Sequence, residues 1–327
     1  MKNIFYISTI FILLFTGCSS KKYFEPKDTH SFTEDRLELN SQIKNLNSNG
    51  ATLENANFIT GEGILENNKE NLNFLNKNGD FILSADDNAS IFIQENQDIK
   101  SFHFDKNIIS ASKDKNLLAF GAIDNSITLF DMESKQIVFK EYLKASAINN
   151  IKITNPIFLN TVVLYPTLDG KVVIVDLKKN IIVKTINIDP KSDVNNIIFL
   201  KEVNNTLIAA TSKKLFTFVS GKVNLKDIDV QSVIVNKNDI YVATLDGEIA
   251  KYNFSLQKID SEKFRFAKIN ALAFGTYLYA LESQEFLIRI SEDFKEVKVF
   301  DFSFDDEQKI IGIDDKIYFD DEYIILK

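Results

Sequence analysis

The chain has one cysteine, two histidines, four prolines and no tryptophan among its 327 residues. A single cysteine, Cys18, excludes an intramolecular disulfide framework and any cysteine-cluster metal site. Two histidines, His30 and His103, leave little for histidine-based catalysis or for a histidine metal centre. Positive charge is in deficit, with 38 Lys and Arg against 46 Asp and Glu, a formal net charge of -8 and a pI of about 5.1. An acidic surface repels phosphate backbones, so the composition speaks against a nucleic-acid partner. The sequence holds no Gly-x-Ser-x-Gly elbow, no His-Glu-x-x-His and no Gly-x-x-x-x-Gly-Lys-Ser/Thr phosphate loop. What it has is apolar material: 45% hydrophobic residues, including 28 phenylalanines, against 26% charged. A large core is affordable at that composition and wholesale disorder is not. The length fits roughly two domains or one large all-β or α/β unit.

The N-terminus reads MKNIFYISTIFILLFTGCSS. Lys2 forms a short positive region, and residues 4–15 form an uncharged apolar run, ~18 Å long as a helix. A bilayer core needs about twenty apolar residues, so the run has the length of a signal-peptide core and not of a span. Phe15-Thr16-Gly17-Cys18 follows and resembles the lipobox of a bacterial lipoprotein signal, with Phe15 in place of the usual leucine. The resemblance implies cleavage before Cys18, a diacylglycerol on its thiol and a palmitate-type chain on the new amine. Two or three acyl chains anchor stably, where one is marginal. Ser19, by resemblance to enterobacterial sorting rules, points to the outer membrane. Residues 1–17 are therefore expected to be a signal peptide. Residues 18–50, polar and mixed in charge, are expected to be a lipidated N-terminus and flexible tether. Leu39, Ile43 and Leu46, at spacings of four and three, suggest a short amphipathic helix over about 34–46.

From residue 51 the pattern is all-β: runs of Ile, Val, Phe and Leu alternate with turns of Asp, Asn, Gly and Lys. One unit recurs, two apolar strands around an acidic or glycine-bearing turn, as in TVVLYPTLDGKVVIVD (161–176) and DIYVATLDGEIAKYN (239–253). Seven copies centre near Asp87, Asp124, Asp169, Lys213, Asp246, Gln284 and Asp321, at spacings of 37, 45, 44, 33, 38 and 37 residues. That is the length of a four-stranded propeller blade, about 40 residues. Asp169-Gly170 and Asp246-Gly247 supply the positive φ that a tight hairpin turn requires. The less regular segments after each hairpin, such as 137–142 and 181–188, read as outer strands. The expected fold is a β-propeller over residues 51–327 with about seven blades, eight being the alternative. An N-terminal strand is expected to close the last blade and remove exposed edges.

Residues 168–177, LDGKVVIVDL, and 245–253, LDGEIAKYN, resemble the quinoprotein-type repeat. A WD-repeat reading fits less well, since no Trp-Asp or Gly-His pair occurs. Lipobox, short tether and repeat body together resemble the BamB-like family of bacterial outer-membrane lipoprotein propellers. Those have eight blades, one more than the seven hairpins found here. The resemblance implies a periplasmic scaffold for protein–protein interactions, bound to the β-barrel assembly machinery or to its clients, and facing the periplasm from the outer membrane. A second class is a surface-exposed adhesin or a structural subunit of another envelope machine. A third is an enzyme, quinone-dependent or carboxylate-dependent. Against quinone chemistry stand the absence of tryptophan docking motifs and of a second cysteine. No cofactor, metal or catalytic residue is assigned.

Residues able to carry chemistry are few. His103, in a strand-like stretch, reads as structural, and His30 as a solvated loop residue. Carboxylate pairs at Asp86-Asp87, Asp305-Asp306, Asp314-Asp315 and Asp320-Asp321 fall mostly at turns, where aspartate is locally favoured. Two segments, Asp86-Asp87-Asn88-Ala89-Ser90 and Glu202-Val203-Asn204-Asn205-Thr206, fit the acidic sequon of some bacterial oligosaccharyltransferases. They make Asn88 and Asn204 candidate N-glycosylation sites at turns.

Overall fold

The computed structural model describes residues 22–327 apart from 68, 97, 149, 192–194 and 306. The expected signal peptide and Cys18 lie outside the described residues.

Eight sheets of four antiparallel strands, one of them extended by a fifth strand, follow one another around a ring, each running from an inner to an outer strand. By residue range the first seven blades are 43–65, 73–103, 108–142, 157–187, 199–227, 230–263 and 269–301. The eighth combines 311–325 with an outer strand, Leu37–Glu38, taken from the start of the chain. All seven hairpins read from the sequence are the middle two strands of blades two to eight. Lys171–Asp176, for example, pairs back on Val162–Pro166 with Tyr165 opposite Val173.

The ring thus has eight blades where seven were favoured. The additional blade leaves no repeat signature in the sequence because its strands are minimal. Ala51–Leu53, Phe58–Thr60 and Gly63–Leu65 have three residues each, too few to show a period.

The expected tether is the larger correction. Residues 30–46 are woven into the ring. His30–Ser31 adds a fifth strand, parallel, to the outer strand Val297–Asp301 of the seventh blade. Leu37–Glu38 then pairs antiparallel with Glu322–Ile325, closing the eighth blade with an N-terminal strand. Ile43–Leu46 is not helical; it is the inner strand of the first blade. The spacing of Leu39, Ile43 and Leu46 suits a helix. Their burial partners are distant in sequence: Leu39 and Ile43 pack with Ala51, Leu53 and Ile59 and, across the closure, with Ile311 and Tyr318. Further upstream, Phe24 is buried edge-on against Phe264 (5.9 Å) and Phe286 (5.6 Å), and its N–H donates to Gln284 Oε1 at 2.7 Å. Arg36 donates to Ser303 O (2.9 Å) and Glu322 Oε2 (3.0 Å), with its guanidinium 4.2 Å from the Phe302 ring centroid.

The core is divided. Among the described residues there are eight apolar clusters, and each draws its side chains from two neighbouring blades. Strands packed on both faces in this way lose the alternation of a one-sided sheet. That accounts for near-continuous apolar runs such as Val172–Val175.

Turn chemistry repeats with the blades. Thr167 Oγ1 donates to Asp169 Oδ1 at 2.7 Å and accepts Lys171 N–H at 2.9 Å, with Gly170 at φ +74 between them. Thr244, Asp246, Gly247 and Glu248 reproduce the arrangement in the sixth blade, with Gly247 at φ +81. The positive φ explains why glycine follows aspartate in both copies.

Candidate functional site

Every blade begins at its inner strand, so the eight inner strands run in one sense around an axial channel. Turns from first to second strand lie on one face, and the inter-blade connections lie on the other. Five inner strands carry a bulge, at Lys44, Leu75, Ile109, Gln231 and Asn270. A bulge leaves one residue out of the ladder and re-aims its groups. Two of these residues turn carbonyls to side chains of other blades or connections: Leu75 O accepts from Asn47 and Asn155, and Gln231 O from Lys152.

Those contacts belong to an unusual connection. The link from the third to the fourth blade, residues 143–156, is the longest between blades. It crosses the axis. Asn155 Oδ1 accepts Ala111 N–H at 2.9 Å, and its Nδ2 donates to Leu75 O at 2.7 Å and Asn49 Oδ1 at 3.0 Å. Ile153 O accepts from Ser48 N–H and Oγ, each at 3.0 Å. On the far side Asn150 N–H donates to Asn196 Oδ1 at 2.8 Å, and Lys152 Nζ donates to Gln231 O at 2.9 Å. The second and sixth blades are opposite one another in a ring of eight, so residues 152–155 bridge the channel.

Below this bridge lies a cavity of about 1430 Å³, lined by all eight blades. It reaches solvent among the first-to-second-strand turns, around Gly79, Lys115 and Asn160. The channel is therefore a one-ended funnel with Lys152, Thr154, Asn155 and Pro156 among its walls at the closed end. Its charged lining, apart from Lys152, is four lysines (Lys77, Lys113, Lys115, Lys201) and five carboxylates (Glu62, Asp114, Glu202, Asp314, Asp315). Lys77 pairs with Glu62 at 2.5 Å, and Lys113 Nζ sits 3.4 Å from the Phe81 ring centroid, where desolvation lowers its pKa. Lys152 differs from these. The ring surrounds its ammonium, and desolvation alone lowers its pKa to about 8. No ion pair involves it among the described residues. Partial accessibility remains, toward the cavity.

The residues singled out from the sequence are not brought together. His103 lies exposed on the outer strand of the second blade, its Nδ1 3.4 Å from Ser90 Oγ. His30 sits on the added strand at the rim of the seventh blade. Asp86 accepts the N–H groups of Asn88 (3.0 Å) and Ser90 (2.8 Å), a local turn function. Asp320 accepts Asp305 N–H, and its burial raises its pKa. Asp314 and Asp315 do line the funnel mouth. Asp306 is outside the described residues. Among the described residues no three His, Cys, Asp or Glu side chains are grouped to hold a metal ion. Asn88 and Asn204 are both exposed at turns, on opposite faces of the ring. Asn204 Nδ2 donates to Asn238 Oδ1 at 2.8 Å.

Sequence reasoning missed Lys152 and the bridge. One signal was present: the turn spacings of 45 and 44 residues around Asp169 exceed the others, and the surplus is the connections flanking the fourth blade.

No protein-family model matches the chain. It is 28% identical over 351 aligned residues to the plasminogen-binding protein PgbB of Helicobacter pylori strain J99, covering 92% of this chain and 65% of that protein. PgbB of strain 26695 matches at 28% over 350 residues with the same coverage. The chain thus spans 65% of the length of the curated relatives it matches. Among solved structures, BamB from Moraxella catarrhalis superposes with a TM-score of 0.65 at 13% identity, over 90% of this chain and 98% of that one. The C-terminal WD40 domain of Sif2 gives 0.63 at 12% identity, over 90% and 98%. The designed protein Ika8 gives 0.62 at 12%, over 89% and 100%. At such identities the likeness is one of fold, and it agrees with the BamB-like architecture expected from the sequence.

Proposed function

We propose that this chain is a lipid-anchored, non-catalytic β-propeller that binds other proteins at the bacterial cell envelope. The observation that carries the reading is the funnel. It is walled by all eight blades, closed by the chain's own connection, and about 1430 Å³ in volume. Pockets for small ligands usually hold about 300–1,000 Å³. A wide, polar, one-ended opening on a rigid ring suits a polypeptide loop better than a small substrate. The fold leaves function to such sites, since propellers host many activities. The lipobox ending at Cys18 supports the anchor, and Asn88 and Asn204 stand where a glycan is sterically acceptable. The BamB-like architecture favours the periplasmic face of the outer membrane, with envelope assembly proteins as partners.

A second reading has its own support. The PgbB relatives are named for binding plasminogen, and the match runs over 92% of this chain. On that reading the propeller faces outward and binds a host protein.

The test combines protease shaving of intact cells with mild crosslinking and affinity capture of the mature protein. Protection from protease together with capture of envelope-assembly subunits is the expected result. Digestion on intact cells, with saturable binding of purified plasminogen, moves the protein to the outward-facing reading. Capture of no protein from either source overturns the protein-binding function.

A further inference from the structure

We propose that the closed end of the funnel is a carboxylate-binding site built around Lys152, and that its ligand is an acidic segment of a partner polypeptide entering from the open face. The inference rests on the protein-binding reading and names the chemistry of the partner. Lys152 Nζ has one acceptor among the described residues, Gln231 O at 2.9 Å. An ammonium carries three N–H donors, so two remain for whatever fills the cavity. By contrast Lys77, nearer the mouth, already holds a carboxylate, that of Glu62.

The surroundings of Lys152 fit an anion that accepts several hydrogen bonds. Gln231 and Asn270 are the bulged residues of adjacent inner strands, and both line the cavity. Neither side-chain amide has a hydrogen-bond partner among the described residues. Two amide groups and an ammonium offer donors to both oxygens of a carboxylate. The lining within reach of the mouth is close to charge-balanced, so selection for an anion falls to the closed end, where Lys152 is the charge. The protein's overall charge of -8 opposes an acidic ligand only weakly, since surface charges are screened beyond about 8 Å at physiological ionic strength.

Energetics argue in the same direction. An ammonium surrounded by protein with no counter-charge costs stability, and an apolar side chain of similar length would bridge the channel at less cost. A charge kept at such a place is explained if something charged comes to meet it. The ligand is a polypeptide segment because the cavity volume exceeds what a small acid needs.

The experiment uses the full mature protein in detergent. Fluorescent hexaglutamate, hexaglutamine and free glutarate are titrated against the wild type, Lys152→Met and Lys152→Arg. Expected are saturable binding of hexaglutamate, none of hexaglutamine, and a loss of roughly ten- to hundredfold in Lys152→Met with most affinity kept in Lys152→Arg. Glutarate binding as tightly as the peptide while the peptide shows no extra affinity overturns the polypeptide ligand and leaves a small-acid site. Equal binding of hexaglutamate by wild type and Lys152→Met, or no acid binding at all, overturns the site. Should Lys152→Met fail to fold, reductive ¹³C-methylation of the wild type reads the Lys152 resonance directly. A saturable shift on adding hexaglutamate supports the site, and an unmoved resonance overturns it. Partner capture by a protein whose funnel ignores both acids removes this inference alone. Acid binding without any captured protein removes the protein-binding reading alone.

Discussion

Lys152 links stability to pH in a direction opposite to that of most paired lysines. Its pKa is lowered from 10.5 to about 8 by desolvation. Between those values the unfolded chain keeps the proton that the folded chain has released, so raising the pH favours folding. Below about pH 8 the folded protein carries the full cost of the charge. Lys152→Met should therefore be more stable than the wild type at pH 7, by about 1–3 kcal/mol. The difference should shrink as pH rises from about 8 to about 10.5. Urea denaturation of both proteins across that range measures it, and a difference independent of pH would show that Lys152 is already neutral or well solvated in the fold. The same residue illustrates a limit of local reading. Lysine in a polar connection is unremarkable in sequence. Only the closing of a ring around it turns a solvated charge into a desolvated one.

The connection of residues 143–156 earns its order from hydrogen bonds more than from apolar burial. Asn155 alone joins the first, second and third blades through Asn49, Leu75 and Ala111. Asn155→Ala leaves the Ala111 N–H buried without its acceptor, at a cost of about 2 kcal/mol. The expected outcome is a lower melting temperature together with faster hydrogen exchange at Ala111, while the outer strands of the third blade keep their protection. Exchange unchanged at Ala111 would mean that the bridge is not anchored there. The hairpins are the opposite case. Asp169-Gly170 and Asp246-Gly247 close them by contacts within a few residues, so their turn chemistry was legible in the sequence. The bridge joins residues up to 106 positions apart, as Asn155 to Asn49, and no window of sequence contains it.

The whole ring depends on a clasp between its ends. The first described segment supplies a strand to the seventh blade, the outer strand of the eighth and the inner strand of the first. Deleting residues 22–42 should remove Leu37–Glu38 from the last blade, uncover Phe264 and Phe302, and separate the eighth blade from the first. The expected result is a fall in melting temperature of about 10 °C, which corresponds to a loss of about 5 kcal/mol at about 2 °C per kcal/mol in a domain this large. A melt unchanged by the deletion would show that the ring holds without its clasp. Because the closing pairs are nearly 300 residues apart, as Leu37 with Tyr323, closure belongs late in folding.

Blade identity resided in local sequence: an apolar strand, a Thr-x-Asp-Gly turn or its variants, and a second apolar strand are enough to form a hairpin with near neighbours. The repeat of about 39 residues then implied a propeller, because two-faced apolar hairpins must bury both faces against copies of themselves. Tertiary structure decided the rest. Blade number turned on three-residue strands that gain stability only from the sheets beside them. The fate of residues 22–50 turned largely on partners at the other end of the chain: Leu39 and Ile43 can be buried as helix or strand, and they pack not only with nearby Leu53 but across the closure with Ile311 and Tyr318. The funnel, its closed end and the desolvated Lys152 exist only once eight blades meet around one axis, because a channel is a property of the ring and not of any segment in it.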